Sequence, residues 1–229
     1  MKFYRILFPC TVMIVFSAFF MICSNPVFSE NLEKEKVCFR WAFAAIKGPL
    51  NSPEFVAVTK DISLETGDRL KFFIQLQTEC FVYLFYRSSK NEMVMLFPNK
   101  GKKSKTKSKT FQKYYIPRGQ ALFKLDENTG TETFYLLASN QRLKSLETLY
   151  NQYQAAKISQ KDEIAGRIIA KIRKIKKDRI IRRAKAERPV SIAGSLRDPS
   201  KDIIAWLAQV AEKISTKNFY TRTITIEHK

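Results

Sequence analysis

The chain has 229 residues, 45% of them hydrophobic, with 41 Lys and Arg against 21 Asp and Glu and a formal net charge of +20. That length and apolar content support the packed core of one domain, or of two small ones, and exclude a globally disordered chain. The charge bears on partners rather than on fold, because its summed field attracts polyanions.

At the start, Lys2 and Arg5 flank an almost unbroken apolar run over residues 6–22. Asn25-Pro26 breaks it, and Val27-Phe28-Ser29 brings Val27 and Ser29 to the two positions a signal peptidase reads. Basic, apolar, then small is the order of a secretory signal peptide. Residues 1–29 are therefore expected to be cleaved off between Ser29 and Glu30, leaving a periplasmic or secreted chain of charge +18 once Lys2 and Arg5 are gone. Two alternatives stay open. One is an uncleaved N-terminal membrane anchor, although the run is short for a bilayer core of about 30 Å. The other is lipidation at Cys23, against which the bulky Ile22 before it counts.

Cys10 and Cys23 belong to that segment, so Cys38 and Cys80 remain in a compartment that permits disulfides. A bridge between them would close a loop of about 43 residues and contribute roughly 3–4 kcal/mol. Strand parity places Cys38 on the face of Arg40, opposite Val37, Phe39 and Trp41, and spacing leaves the pairing open.

Residues 30–36 are mostly charged and form a leader. Residues 37–46 alternate as a strand that ends at Gly48-Pro49, and residues 55–59 form a second strand. Thr66-Gly67-Asp68 is a turn. Residues 69–77 then alternate, with Leu70, Phe72, Ile74 and Leu76 facing one way. Residues 81–86 are apolar throughout, which predicts a central strand covered on both faces. A polar hairpin at 87–91 leads to a strand at 93–97, stopped by Pro98-Asn99. Residues 114–116, 120–125 and 133–138 complete about eight short extended runs.

Helical spacing follows. Leu143, Leu146, Tyr150 and Tyr153 form one stripe, and Ile164, Ile168, Ile172 and Ile175 the next, after a capping start at Ser159 and Asp162. Ser200 is expected to cap a third helix striped by Ile203, Leu207, Val210 and Ile214, before a last strand over 219–227. The expected fold is α+β: an antiparallel, Ig-like β-sandwich in a domain at 30–140, about three helices in 141–214, and a C-terminal strand in 215–229 packing back on the sheet.

The pieces Gly67-Asp68-Arg69-Leu70, Phe81-Val82-Tyr83-Leu84-Phe85-Tyr86, Leu96-Phe97-Pro98-Asn99, Ile116-Pro117 and Phe134-Tyr135-Leu136-Leu137-Ala138-Ser139 stand in one order. Over roughly residues 54–140 the chain resembles the bacterial domain of unknown function 4384. The resemblance implies a β-sandwich-like module found in exported bacterial proteins or attached to signalling and peptidase domains, and it carries no catalytic residues over.

A hydrolase of the triad kind needs a nucleophile and a base within hydrogen-bond reach. The only histidine, His228, stands one residue from the C-terminus, where fraying is expected. Two cysteines and that histidine lack metal-ligand spacing. Residues 126–132 place oxygen side chains as a calcium loop would, but Leu137 stands where the bidentate Glu belongs, so an Asx turn is expected. No phosphate-cradling glycine loop is present. No catalytic, cofactor or metal residue is assigned.

Two basic segments remain as anion-binding candidates. Lys100, Lys102, Lys103, Lys105, Lys107 and Lys109 crowd one loop, and Arg173, Lys174 and Lys177 lie in the basic stretch 167–188. The expectation is a non-enzymatic envelope or periplasmic module binding a partner protein or an acidic envelope polymer, without sequence-specific nucleic-acid readout. The alternative is an envelope hydrolase with an unrecognised carboxylate-based site.

Overall fold

Strand β1 (Lys36–Lys47) shows the alternation expected of it, with Val37, Phe39, Trp41 and Phe43 in the core and Ala42, Ala44 and Ile46 on the opposite face. The computed structural model describes residues 36–49, 51–98, 110–180 and 202–229. In it β1 pairs with β2 (Glu54–Ala57), β4 (Arg69–Leu76) and β10 (Glu212–Lys217). On its other side β4 takes β7 (Lys113–Ile116) and β8 (Phe123–Lys124), giving a six-stranded sheet A of order β10-β1-β4-β7. Sheet B contains β3 (Ile62–Leu64), β5 (Phe81–Arg87), β6 (Met93–Phe97), β9 (Gly130–Ser139) and β11 (Phe219–His228), in the order β3-β11-β9-β5-β6.

The sheets face each other across one apolar core. Phe43 stacks on Phe72 with ring centroids 4.0 Å apart, and both meet Phe134 of sheet B at 5.1 and 5.0 Å. The α+β architecture is thus present, with two sheets packed face to face. Its ladders are antiparallel except one, since β3 runs parallel to β11. As expected, β5 is covered on both sides: Val82 and Leu84 face the core, Tyr83 and Phe85 the helices.

Helices α1 (Lys144–Ala155) and α2 (Ile158–Ile180) cover the outer face of sheet B, where Leu146, Tyr150, Ile168 and Ile172 join Tyr83, Phe85 and Leu137. The Tyr83 hydroxyl accepts the Leu143 N–H at 3.1 Å and donates to Glu147 at 2.7 Å, fixing the start of α1. Tyr153 and Tyr150 hydroxyls accept the Met93 and Met95 N–H groups at 3.0 and 2.9 Å. Because β6 is an edge strand, those bonds close donors that would otherwise template pairing with another chain. Helix α3 (Ile203–Val210) covers part of sheet A, with Ile203, Trp206 and Leu207 on Ala42, Ala44, Ile46 and Phe73.

Three expectations change. Asp202 caps α3, accepting the Ile204 N–H at 2.9 Å, and Ser200 lies outside the described residues. Helix α2 begins at Ile158, so Ser159 is inside it. The third helix stops at Val210, and Ile214 turns inward from β10. A single isoleucine fits both periods; pairing of β10 with β1 decided for the strand. The C-terminal region therefore supplies two strands, one to each sheet, and the sandwich extends well beyond residue 140. No helix among the described residues is long and apolar enough to cross a membrane.

Candidate functional site

Of the anion-binding candidates, Arg173, Lys174 and Lys177 are placed by the structure. Helix α2 buries Ala165, Ile168, Ile169 and Ile172 against α1 and sheet B. At 100° per residue, Arg167, Lys174 and Lys177 fall on the opposite side and Arg173 on its flank, and all four are exposed. The buried stripe thus forces these charges outward together. Lys100, Lys102, Lys103, Lys105, Lys107 and Lys109 lie outside the described residues, as do residues 1–29 with Ser29 and Glu30 at the expected cleavage site.

The most concentrated buried chemistry is one that sequence reasoning placed wrongly. His228 is not frayed: it sits in β11, between Gly130 of β9 and Leu64 of β3, and is buried. Strand parity was the available signal, since Ile224, Ile226 and His228 share the inward face. Nε2 of His228 lies 3.1 Å from Oγ1 of Thr66, and Nδ1 lies 3.7 Å from Oε1 of buried Glu132. Burial raises the Glu132 carboxyl above its ordinary value, against the opposing hydrogen bond from Tyr86 and the charge of His228. Burial also raises the Tyr86 hydroxyl, with Glu132 adding to the effect.

Hydroxyl, imidazole and carboxylate stand in the order of a hydrolytic triad, but the surroundings are those of an anchor. The Thr66 hydroxyl is also within reach of the carbonyls of Asp126 and Lys229, at 3.1 and 3.3 Å. The N–H groups of Thr66 and Gly67 donate to the carbonyls of Lys229 and Leu125 at 2.9 and 3.0 Å, so they are not free to hold an oxyanion. The cluster ties the C-terminal strand to the β3–β4 turn. Nearby, Asp126 accepts the Asn128 N–H at 2.8 Å, the Asx turn expected in place of a calcium loop.

Lys71 is a second buried group that the sequence reading passed over. It stands on the outer face of β4, and its ammonium donates to the carbonyls of Pro117, Gly119 and Ala121 at 3.1, 2.8 and 2.6 Å. Burial lowers its pKa. The three carbonyls enclose the amine and clamp the loop after β7. Cys38 and Cys80, weighed as a disulfide pair, are both buried free thiols. Cys38 donates to Gln77 Oε1 at 3.1 Å, whereas Cys80 lies in the core, where burial pushes its thiol up to about 12.

Residues 63–142 match the family described as Domain of unknown function (DUF4384). This segment of the chain resembles that domain family. No curated protein and no solved structure matches the chain. The DUF4384 segment runs from β3 through β9 and carries Thr66, Lys71 and Glu132. β1, the basic α2, α3, β10 and β11 with His228 lie outside it.

Proposed function

We propose that the protein is an exported, non-enzymatic module that binds a partner protein or an anionic envelope component through the basic face of α2. The observation that carries this reading is the exposure of Arg167, Arg173, Lys174 and Lys177 on a helix that buries Ala165, Ile168, Ile169 and Ile172. The net charge of +18 on the cleaved chain gives that face a long-range field. Export is supported by the basic, apolar and small order of residues 1–29. Sequencing the N-terminus of native protein tests it, with Glu30 the expected first residue.

Binding of the full mature chain to an acidic envelope polymer is expected to weaken steeply as salt rises. Reversing Arg173→Glu, Lys174→Glu and Lys177→Glu together should weaken it about tenfold or more, with an unchanged circular dichroism spectrum. Salt-insensitive binding, or an unaffected triple variant, would sink the reading. A carboxylate-based hydrolase would need two shifted acids joined in one concave site. Glu132 is one such acid, but its closest partners are Tyr86 and His228 rather than a second buried acid.

A further inference from the structure

Helix α3 covers only one half of the outer face of sheet A. Ala42, Ala44, Ile46, Phe73 and Tyr115 lie in its cluster. Beyond them no helix among the described residues lies on the same face. Arg40 marks the border, donating to the Ala208 carbonyl at 2.7 Å in the last turn of α3. The sheet register then lines up Lys113, Gln75, Arg40 and Lys213 across β7, β4, β1 and β10. All four have outward parity, because Ile74, Tyr114, Phe39 and Ile214 beside them face the core. With strands about 4.8 Å apart, this row spans about 14 Å. A second pair, Lys36 opposite Lys217, lies four residues further along the β1–β10 seam.

Two features separate this face from an ordinary solvated one. Lys36, Lys113, Lys213 and Lys217 are exposed, and the ion pairs among the described residues involve Arg142, Arg222 and His228 rather than any of them. Moreover, Arg40 faces Lys213 and Lys36 faces Lys217, and like charges directly opposite each other destabilise a ladder. Folding alone would favour an acid at one member of each pair. Glu79, exposed on the β4–β5 turn, is the acid that turn contributes at this end.

We infer that the half of sheet A that α3 leaves clear binds an extended polyanion, laid across the strands along the row from Lys113 to Lys213. The cationic row matches a line of negative charges. Helix α3, about 10 Å across, rises from the other half of the face and would hold a planar bilayer away from the row. This surface is on the side of the sandwich opposite α2, so the two anion-facing regions act separately and fail separately.

The test uses the full mature chain carrying Arg173→Glu, Lys174→Glu and Lys177→Glu, with inorganic polyphosphate as probe and titration calorimetry as readout. That background is expected to retain salt-sensitive binding. Adding Lys213→Glu and Lys217→Glu should weaken the remainder about tenfold or more, while the thermal midpoint stays level or rises as each like-charge pair becomes an opposite one. Three outcomes overturn the inference: no polyphosphate binding in the α2-reversed background, undiminished binding after the sheet reversals, or loss of binding accompanied by a falling midpoint. Vesicles of anionic phosphatidylglycerol are the comparison probe. Vesicle binding with polyphosphate ignored would assign the surface to a membrane instead and also overturn it.

Discussion

Lys71 and the Glu132–His228 pair are both buried ionisable groups, and the protein treats them differently. The Lys71 amine has three carbonyl acceptors for its three protons and no ion pair among the described residues. Glu132 and His228 carry complementary chemistry, yet Nδ1 and Oε1 stop at 3.7 Å, and Nδ1 of His228 and Oε2 of Glu132 have no hydrogen-bond partner among the described residues. The lesson is that saturation of donors and acceptors, more than pairing of opposite signs, makes a buried charge tolerable. The lysine is a clamp, while Glu132 and His228 are a less saturated pair whose imidazole is reached by Thr66.

The largest expected effect comes from emptying the cage. Lys71→Met keeps the length of the side chain and leaves the carbonyls of Pro117, Gly119 and Ala121 without their shared donor. Urea unfolding should show a loss of about 3 kcal/mol. A loss below about 1 kcal/mol would mean that the ammonium does not hold the loop.

Thr66→Val should cost less, about 1–2 kcal/mol, because it removes one hydroxyl and leaves Nε2 of His228 without it. Its signature is local: amide exchange at Thr66 and Lys229 should accelerate, since their N–H groups donate to the carbonyls of Lys229 and Leu64 and close the C-terminal strand onto the turn. Uniform acceleration across both sheets would contradict the assignment of Thr66 as a local anchor.

The smallest effect is pH-dependent. Burial raises the Glu132 pKa above its unfolded value, so the folded state holds that proton more tightly. The resulting stability is fully present below the unfolded pKa, about 4.3, and is lost as pH rises through the folded one. The groups around it are Tyr86, Asp126 and His228. Glu132→Gln retains the neutral form at every pH, so its thermal midpoint should overtake that of the parent by about 2–4 °C between pH 4 and pH 8. A gap that shrinks with rising pH would reverse this assignment.

Much of the candidate site was legible. The isoleucine stripe of α2 dictated which of its charges face water, because a 3.6-residue period leaves one side for burial. Similarly, alternation in β1 and β4 announced the core, and Asp126 announced its Asx turn. His228 was misjudged because closeness to a chain end suggests fraying unless pairing on both sides of β11 is known.

Local periodicity and turn chemistry thus determined most of the elements and the outward face of α2, since these depend on neighbours within a few residues. Tertiary structure alone decided the rest. Ile214 became a strand residue because β1 offered an edge, and Lys71 became buried because a loop some 46 to 50 residues away brought three carbonyls over it. The row from Lys113 to Lys213 likewise exists only in the register of four strands drawn from distant parts of the chain. Contacts of that kind are set by which surfaces can be buried together, and no short window of sequence contains both partners.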